Sequence, residues 1–136
     1  MNELAELRQW LTDNWDPELS LLQWRGRLAD AGWAFPAWPE PWCGRSLPPA
    51  AAASVAQELI AAAVPPPPDG VGTILAAPVL LEYGSDDLKR RLIRPTVTGE
   101  VSWCQLYTEL STRCRGVYTD PSGTREGPRH PPRRVR

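Results

Sequence analysis

Apolar residues recur at three- and four-residue steps along most of the chain. Leu4, Leu7 and Leu11, with Trp10 beside them, put one apolar stripe on a helix from about Glu3 to Asn14. Asp16-Pro17-Glu18 predicts the start of a second helix. Asp16 can accept from an orphan N–H, Pro17 has none to lose in the first turn, and Glu18 suits the positive end of the dipole. Leu21, Trp24, Leu28 and Ala31 form its stripe, and Gly32 supplies the stop.

Between Gly32 and Ser46 the period is lost. Three tryptophans and three prolines stand in "GWAFPAWPEPWCGRS", a proline spacing that no helix tolerates, so we expect an ordered loop whose rings cover neighbouring helices. A proline-peptide or sugar groove is the sharper but weaker reading of those rings. Ser46 is expected to cap a third helix, with Pro48 and Pro49 in its first turn and Val55, Ala56, Leu59, Ile60 and Ala63 inside. "VPPPPDG" then reads as a short rigid connector rather than a polyproline ligand.

Val71 to Tyr83, "VGTILAAPVLLEY", is apolar on nearly every face and predicts a helix buried in the middle of the domain. Pro78 inside it costs about 3 kcal/mol, which burial of Ile74, Leu75, Val79, Leu80 and Leu81 can outweigh at about 1.5–3 kcal/mol each. The stripes at Leu21, Trp24 and Leu28 and at Val55 and Leu59 are expected to face it. Gly84 stops this helix, and Ser85 caps the next, Asp86 to about Arg94, with acids first and Lys89, Arg90, Arg91 and Arg94 last. Gly99-Glu100 turns the chain into a predicted strand, Val101 to Tyr107. Val101, Trp103 and Tyr107 would point one way, Ser102, Cys104 and Leu106 the other. The fold class is therefore all-α with one short strand and an irregular tail.

Charge divides the chain at the end of that strand. Up to Glu109, eight basic side chains oppose fourteen acidic ones, a net of −6; beyond it, seven arginines oppose Asp120 and Glu126, a net of +5, together giving −1. Arg113, Arg115, Arg125, Arg129, Arg133, Arg134 and Arg136 make residues 110–136 a basic tail, expected to be disordered. Such a tail could neutralise phosphates or an acidic partner. No recognition helix or interleaved aromatics accompany it, and the acidic body opposes approach, so nucleic acid is disfavoured as a partner.

Candidate chemistry is sparse. No apolar run reaches the ~20 residues of a membrane span. Glu3 and Glu6 stand where a signal peptide needs basic residues, so a cytoplasmic chain is expected. Cys43, Cys104 and Cys114 are odd in number and widely separated, which argues against a disulfide framework or a zinc site. Glu58, Glu82 and Glu109 have no partner at a spacing that acid–base work requires, and His130 stands alone in the tail. No catalytic or metal-binding residue is nominated.

Three phrases together resemble the N-terminal domain and domain boundary of the acyl-CoA dehydrogenase family: "LADAGWAFPAWPEPWCGRSL", "VGTILAAPVLLEYGSDDLKRRLIRPTVTGE" and "WCQLYTE". They cover about residues 3 to 109. The resemblance implies an N-terminal helical domain over residues 1–100, the start of a middle β-domain over 101–109, and a divergent tail. It implies FAD as cofactor and an acyl-CoA substrate, with a glutamate base taking the α-proton while the flavin takes a hydride from the β-carbon. It also implies that Gln105, Leu106 and Thr108 lie along the flavin ring, through strand backbone and the Thr108 hydroxyl.

Departures from the pattern carry further expectations. After Glu109 the family continues Pro-Gly-Ala-Gly-Ser-Asp, whereas here stand Leu110-Ser111-Thr112-Arg113-Cys114-Arg115. Cys43 and Ser46 occupy places where the family often has glycine. The loss of pattern after Glu109 fits a chain that leaves its ancestral frame or has been cut and extended. The strand would then be an orphan, its backbone meeting the tail or water. The chain alone is expected neither to retain FAD nor to dehydrogenate, unless another chain or a homo-oligomer completes it. The alternative is a non-catalytic helical interaction module with a basic arm.

Overall fold

The computed structural model describes residues 2–106. Helix α1 spans Glu3–Asn14, α2 Leu21–Asp30, α3 Pro49–Ala61, α4 Ala77–Tyr83 and α5 Asp86–Thr98. A 3₁₀ turn lies at Glu40–Trp42 and a π-helical turn at Gly72–Ala76. Residues 2–105 form one compact unit, and Leu106 falls outside it. The all-α reading holds, and no helix among the described residues is long and apolar enough to cross a membrane.

The first stripe is realised as spaced. Leu7 and Leu11 are buried, and Asn2 caps α1 by accepting from the Leu4 N–H. α2 begins later than expected. Asp16 does accept from the Glu18 N–H at 2.9 Å, but it closes an isolated turn. The helix starts behind Ser20, whose hydroxyl accepts from the Gln23 N–H while Gln23 Oε1 accepts from the Ser20 N–H. This reciprocal pair satisfies two polar ends at once, which Asp16 alone cannot do. Trp24 and Leu28 are fully buried, whereas Leu21 is half exposed.

Trp24 is the centre of the aromatic packing. Trp15 meets it edge-on at 4.6 Å between centroids, Trp10 lies at 5.7 Å, and its Nε1–H donates to the Pro65 carbonyl at 2.8 Å. That bond holds the proline connector against the body. The loop from Gly32 to Leu47 is ordered, with its rings used for packing. Trp33 is buried, Phe35 stacks on Trp38 at 4.3 Å, and Trp42 is packed on the core.

Gly32 and Gly44 mark where this loop crosses itself. A Cβ at Gly32 would lie 2.5 Å from the Gly44 carbonyl oxygen, and one at Gly44 would overlap the Trp38 carbonyl. Ser46 does not cap α3. Its φ is 53°, in the left-handed region, and Cys43 has φ 63°. The helix instead opens at Pro49, where proline suits the first turn. Val55 and Leu59 face the core, while Ala56, Ile60 and Ala63 are exposed, which corrects the wider stripe expected there.

Segment 71–83 departs most from expectation. It is not one buried helix: a π turn precedes Pro78, so that the Ala77 N–H reaches back to the Gly72 carbonyl. The extra residue in that turn absorbs the proline, which cannot join a regular i→i−4 ladder. Only a narrow line is covered, with Thr73 and Ala77 buried and Leu80 and Leu81 partly so. Ile74, Leu75 and Val79 are 61%, 47% and 58% exposed. α4 packs on α5, α2 packs on α5, and α1 packs on α3. The centre of the body is thus α2 and α5 rather than segment 71–83. An apolar composition shows that burial is wanted, but not that it is met within these residues.

α5 is longer than predicted. Ser85 caps it, accepting from the Leu88 N–H, but the helix continues through Pro95 to Thr98 and ends at Gly99 with φ 85°. The carbonyl that Pro95 leaves without its helical donor belongs to the exposed Arg91, where water can reach it. Lys89 to Arg94 therefore lie mid-helix rather than in the last turn. Among the described residues there is no strand: 101–106 run irregularly, and a strand needs a neighbour to satisfy its backbone. Tyr107, the rest of the predicted strand and the tail lie outside the described residues.

Candidate functional site

The chain leaves the helical body at the C-terminus of α5, where three donors converge on one oxygen. The Pro95 carbonyl accepts from the Gly99 N–H at 3.1 Å, the Val101 N–H at 3.1 Å and the Thr98 hydroxyl at 3.3 Å. Next along, the Trp103 Nε1–H donates to Thr96 Oγ1 at 2.8 Å, and that hydroxyl donates to the Leu92 carbonyl at 2.7 Å. Val101 and Trp103 are half-buried while Ser102, Cys104, Gln105 and Leu106 are exposed, so any alternation of burial ends at Trp103. A groove of about 240 Å³ lies beside this exit, between the connector at Pro68–Gly70, Thr73, Thr96 and Trp103.

Of the three residues assigned to the flavin, Gln105 and Leu106 lie just past this exit. Both are exposed, Leu106 at 87%. Thr108 lies outside the described residues, as do Glu109, His130 and the seven tail arginines.

A larger groove, about 750 Å³, is elsewhere. It is bounded by α1, α2, the 32–47 loop and α5, and none of residues 101–106 lines it. Four of its eight charged lining residues are ion-paired in place. Arg94 grips Asp30 with two bonds of 2.8 and 3.0 Å, and Arg45 reaches Glu6 at 2.5 Å. Cys43 lines it with a thiol that burial pushes up, against the smaller opposing pull of Arg94. A raised thiol is a poor nucleophile at neutral pH. The arrangement is that of a structural seam between helices.

Among the described residues the carboxylates give no acid–base pair. Glu58 accepts from Arg8 Nε at 2.7 Å and Nη2 at 2.8 Å, and that bidentate bond holds it below the ordinary carboxylate range. A base for α-proton removal needs a high, unpaired carboxylate, which is the opposite condition. Glu82 is exposed on the outer side of α4.

Thr96 and Gly72 were missed in the sequence. Thr96 sits on the buried face continued by Ile93 and Val97, a placement that flags a satisfied polar group; nothing local pointed to Trp103 as its partner.

Comparison with known proteins agrees with this architecture. Residues 2–100 match the family model described as acyl-CoA dehydrogenase, N-terminal domain. The chain belongs to the acyl-CoA dehydrogenase family through this helical domain. Acyl-CoA dehydrogenase IpdE1 of Mycolicibacterium smegmatis is 30% identical over 122 residues, covering 77% of this chain and 31% of that protein. Acyl-CoA dehydrogenase FadE34 of Mycobacterium tuberculosis is 43% identical over 82 residues, covering 60% of this chain and 11% of that protein. The chain thus spans under a third of the length of either relative. No solved structure gives a significant match.

Proposed function

We propose that this chain supplies the first helical wall of an FAD-dependent acyl-CoA dehydrogenase, and that the 136 residues alone neither retain FAD nor dehydrogenate an acyl-CoA. The observation that carries the proposal is the outer face of segment 72–83. Ile74, Leu75 and Val79 lie exposed, and covering each would contribute about 1.5–3 kcal/mol. A face of that kind wants a further layer of protein, or the acyl chain of a substrate held by one.

The resemblance of the phrase WCQLYTE would set a flavin against one edge of this chain. Past Trp103 the chain is exposed, and Gln105 and Leu106, followed in sequence by Thr108, can meet the alternating donors and acceptors of a pyrimidine edge. FAD, when bound, would supply the hydride acceptor. The residues of this chain would hold its ring and wall off water. A few hydrogen bonds worth about 0.5–1.5 kcal/mol net each do not offset the several kcal/mol lost on association, so tight capture needs more surface than this edge. The α-proton would pass to a base outside the described residues.

A chimera tests this. Residues 2–100 of this chain, substituted for the corresponding N-terminal helical domain of the M. smegmatis relative, should give a yellow protein that retains FAD through gel filtration and oxidises an acyl-CoA. Ile74→Glu with Val79→Glu in the same chimera should abolish both. A chimera that is folded by circular dichroism yet colourless would overturn the proposal.

A further inference from the structure

We propose that Thr96 is a positioning residue for the flavin-facing segment. By fixing the Trp103 indole, it sets the direction in which residues 102–105 leave the helical body. The inference rests on reading that segment as one edge of a flavin site.

Thr96 is 3% exposed, and its hydroxyl is used in both senses. Its proton goes to the Leu92 carbonyl of its own helix at 2.7 Å, which fixes the direction of the remaining lone pairs. Trp103 carries a single indole N–H, and Thr96 Oγ1 is its acceptor at 2.8 Å. The indole is thus referred to the axis of α5 through one hydroxyl. A second constraint comes from the π turn: a Cβ at Gly72 would lie 2.5 Å from Trp103 Cδ1 and 3.0 Å from Thr96 Cγ2. The ring therefore lies directly on backbone, in space that only glycine leaves open. The third is the Val101 N–H on the Pro95 carbonyl.

These fixings act on Val101 and Trp103, the half-buried residues on either side of the exposed Ser102, before the chain runs on exposed from Cys104. A clasp of this kind is more than the fold of α5 needs. The helix is already ended by Gly99 and its core face is filled by Ile93 and Val97. What the clasp adds is a defined exit for the segment beyond. An edge that meets a flat ring system needs its backbone held in place before the ring arrives.

The test uses the 136-residue chain with Thr96→Val, which keeps the shape and removes the acceptor, and Thr96→Ser, which restores it. Amide and indole hydrogen exchange is followed by NMR, with Trp103→Phe assigning the indole signal. Thr96→Val should speed exchange at the Trp103 indole and at the Val101 amide by at least about tenfold, leaving Leu7, Leu28 and Val55 unchanged. Thr96→Ser should exchange as the parent. Millimolar FAD should shift the Gln105 amide in the parent and in Thr96→Ser, and not in Thr96→Val.

Unchanged exchange in Thr96→Val would overturn the clasp. Acceleration spread equally to Leu7 and Val55 would reduce it to ordinary stability. An exchange pattern as expected with no FAD response at Gln105 in the parent would overturn the flavin reading, and the positioning role with it. Should Thr96→Val fail to fold, Trp103→Phe, which removes the donor and keeps a ring, carries the same readout at the Val101 amide.

Discussion

The guanidinium of Arg45 lies 3.9 Å from the ring centroid of the buried Trp33 while its two terminal nitrogens donate to the Ala31 carbonyl and to Glu6. One planar cation so joins the proline-rich loop to α1 and to the end of α2. Lysine has the charge but neither the plane nor the fork. Arg45→Lys should therefore destabilise the domain by about 1–2 kcal/mol, read as an earlier midpoint in urea with an unchanged slope.

Ser46 is exposed and held at φ 53°, a conformation that costs a side-chain-bearing residue about 1–2 kcal/mol. Glycine relieves that strain but loses about 0.5–1 kcal/mol through its freer unfolded chain. Ser46→Gly is expected to stabilise by about 0.5 kcal/mol. Gly44→Ala, which would drive a methyl into the Trp38 carbonyl, is expected to destabilise by several times that. The pair of thermal midpoints should move in opposite directions.

Glu58 has its carboxyl held low by the bidentate bond from Arg8, with the attraction of opposite charge added. Its folded value lies below its unfolded value, so the pair contributes stability above the ordinary carboxylate range, near about pH 4.3, and loses it as pH falls through the folded value. Both groups are solvent-accessible, so the contribution is small and screened by salt. The parent should melt slightly above Glu58→Gln at neutral pH, and the margin should close in acid. A margin that widens in acid would contradict the assignment.

Cys104 is exposed, whereas Cys43 is half-buried with a thiol pushed up by burial. Iodoacetamide at neutral pH should modify Cys104 well before Cys43, as peptide mapping by mass would show. Raising the pH should narrow the difference as the Cys43 thiolate forms.

Most of the helical body was legible in the sequence because Leu7, Leu11, Trp24, Leu28, Val55 and Leu59 sit at spacings that leave one face to bury. Boundaries were less legible. Asp16 and Ser46 are good caps in isolation, but the reciprocal bonds of Ser20 with Gln23 and the left-handed turn at Ser46 decided where α2 and α3 begin. The last helix was expected to reach only about Arg94, yet it runs on through Pro95, which is tolerated because the carbonyl it leaves bare belongs to the exposed Arg91. Segment 71–83 misled because hydropathy does not distinguish a core from an exposed apolar face. Around the candidate site, Gln105 and Leu106 were named through family phrases. Thr96 could not be, since its partnership with Trp103 depends on the turn that Gly99 makes.

The most direct measurement is the visible spectrum of the purified 136-residue chain after incubation with FAD and gel filtration, followed by addition of an acyl-CoA and an electron acceptor. A helical, colourless protein with no acceptor reduction is the predicted result. Flavin absorbance that survives the column, together with acyl-CoA-dependent reduction, would contradict the claim that this chain is one wall of a larger site.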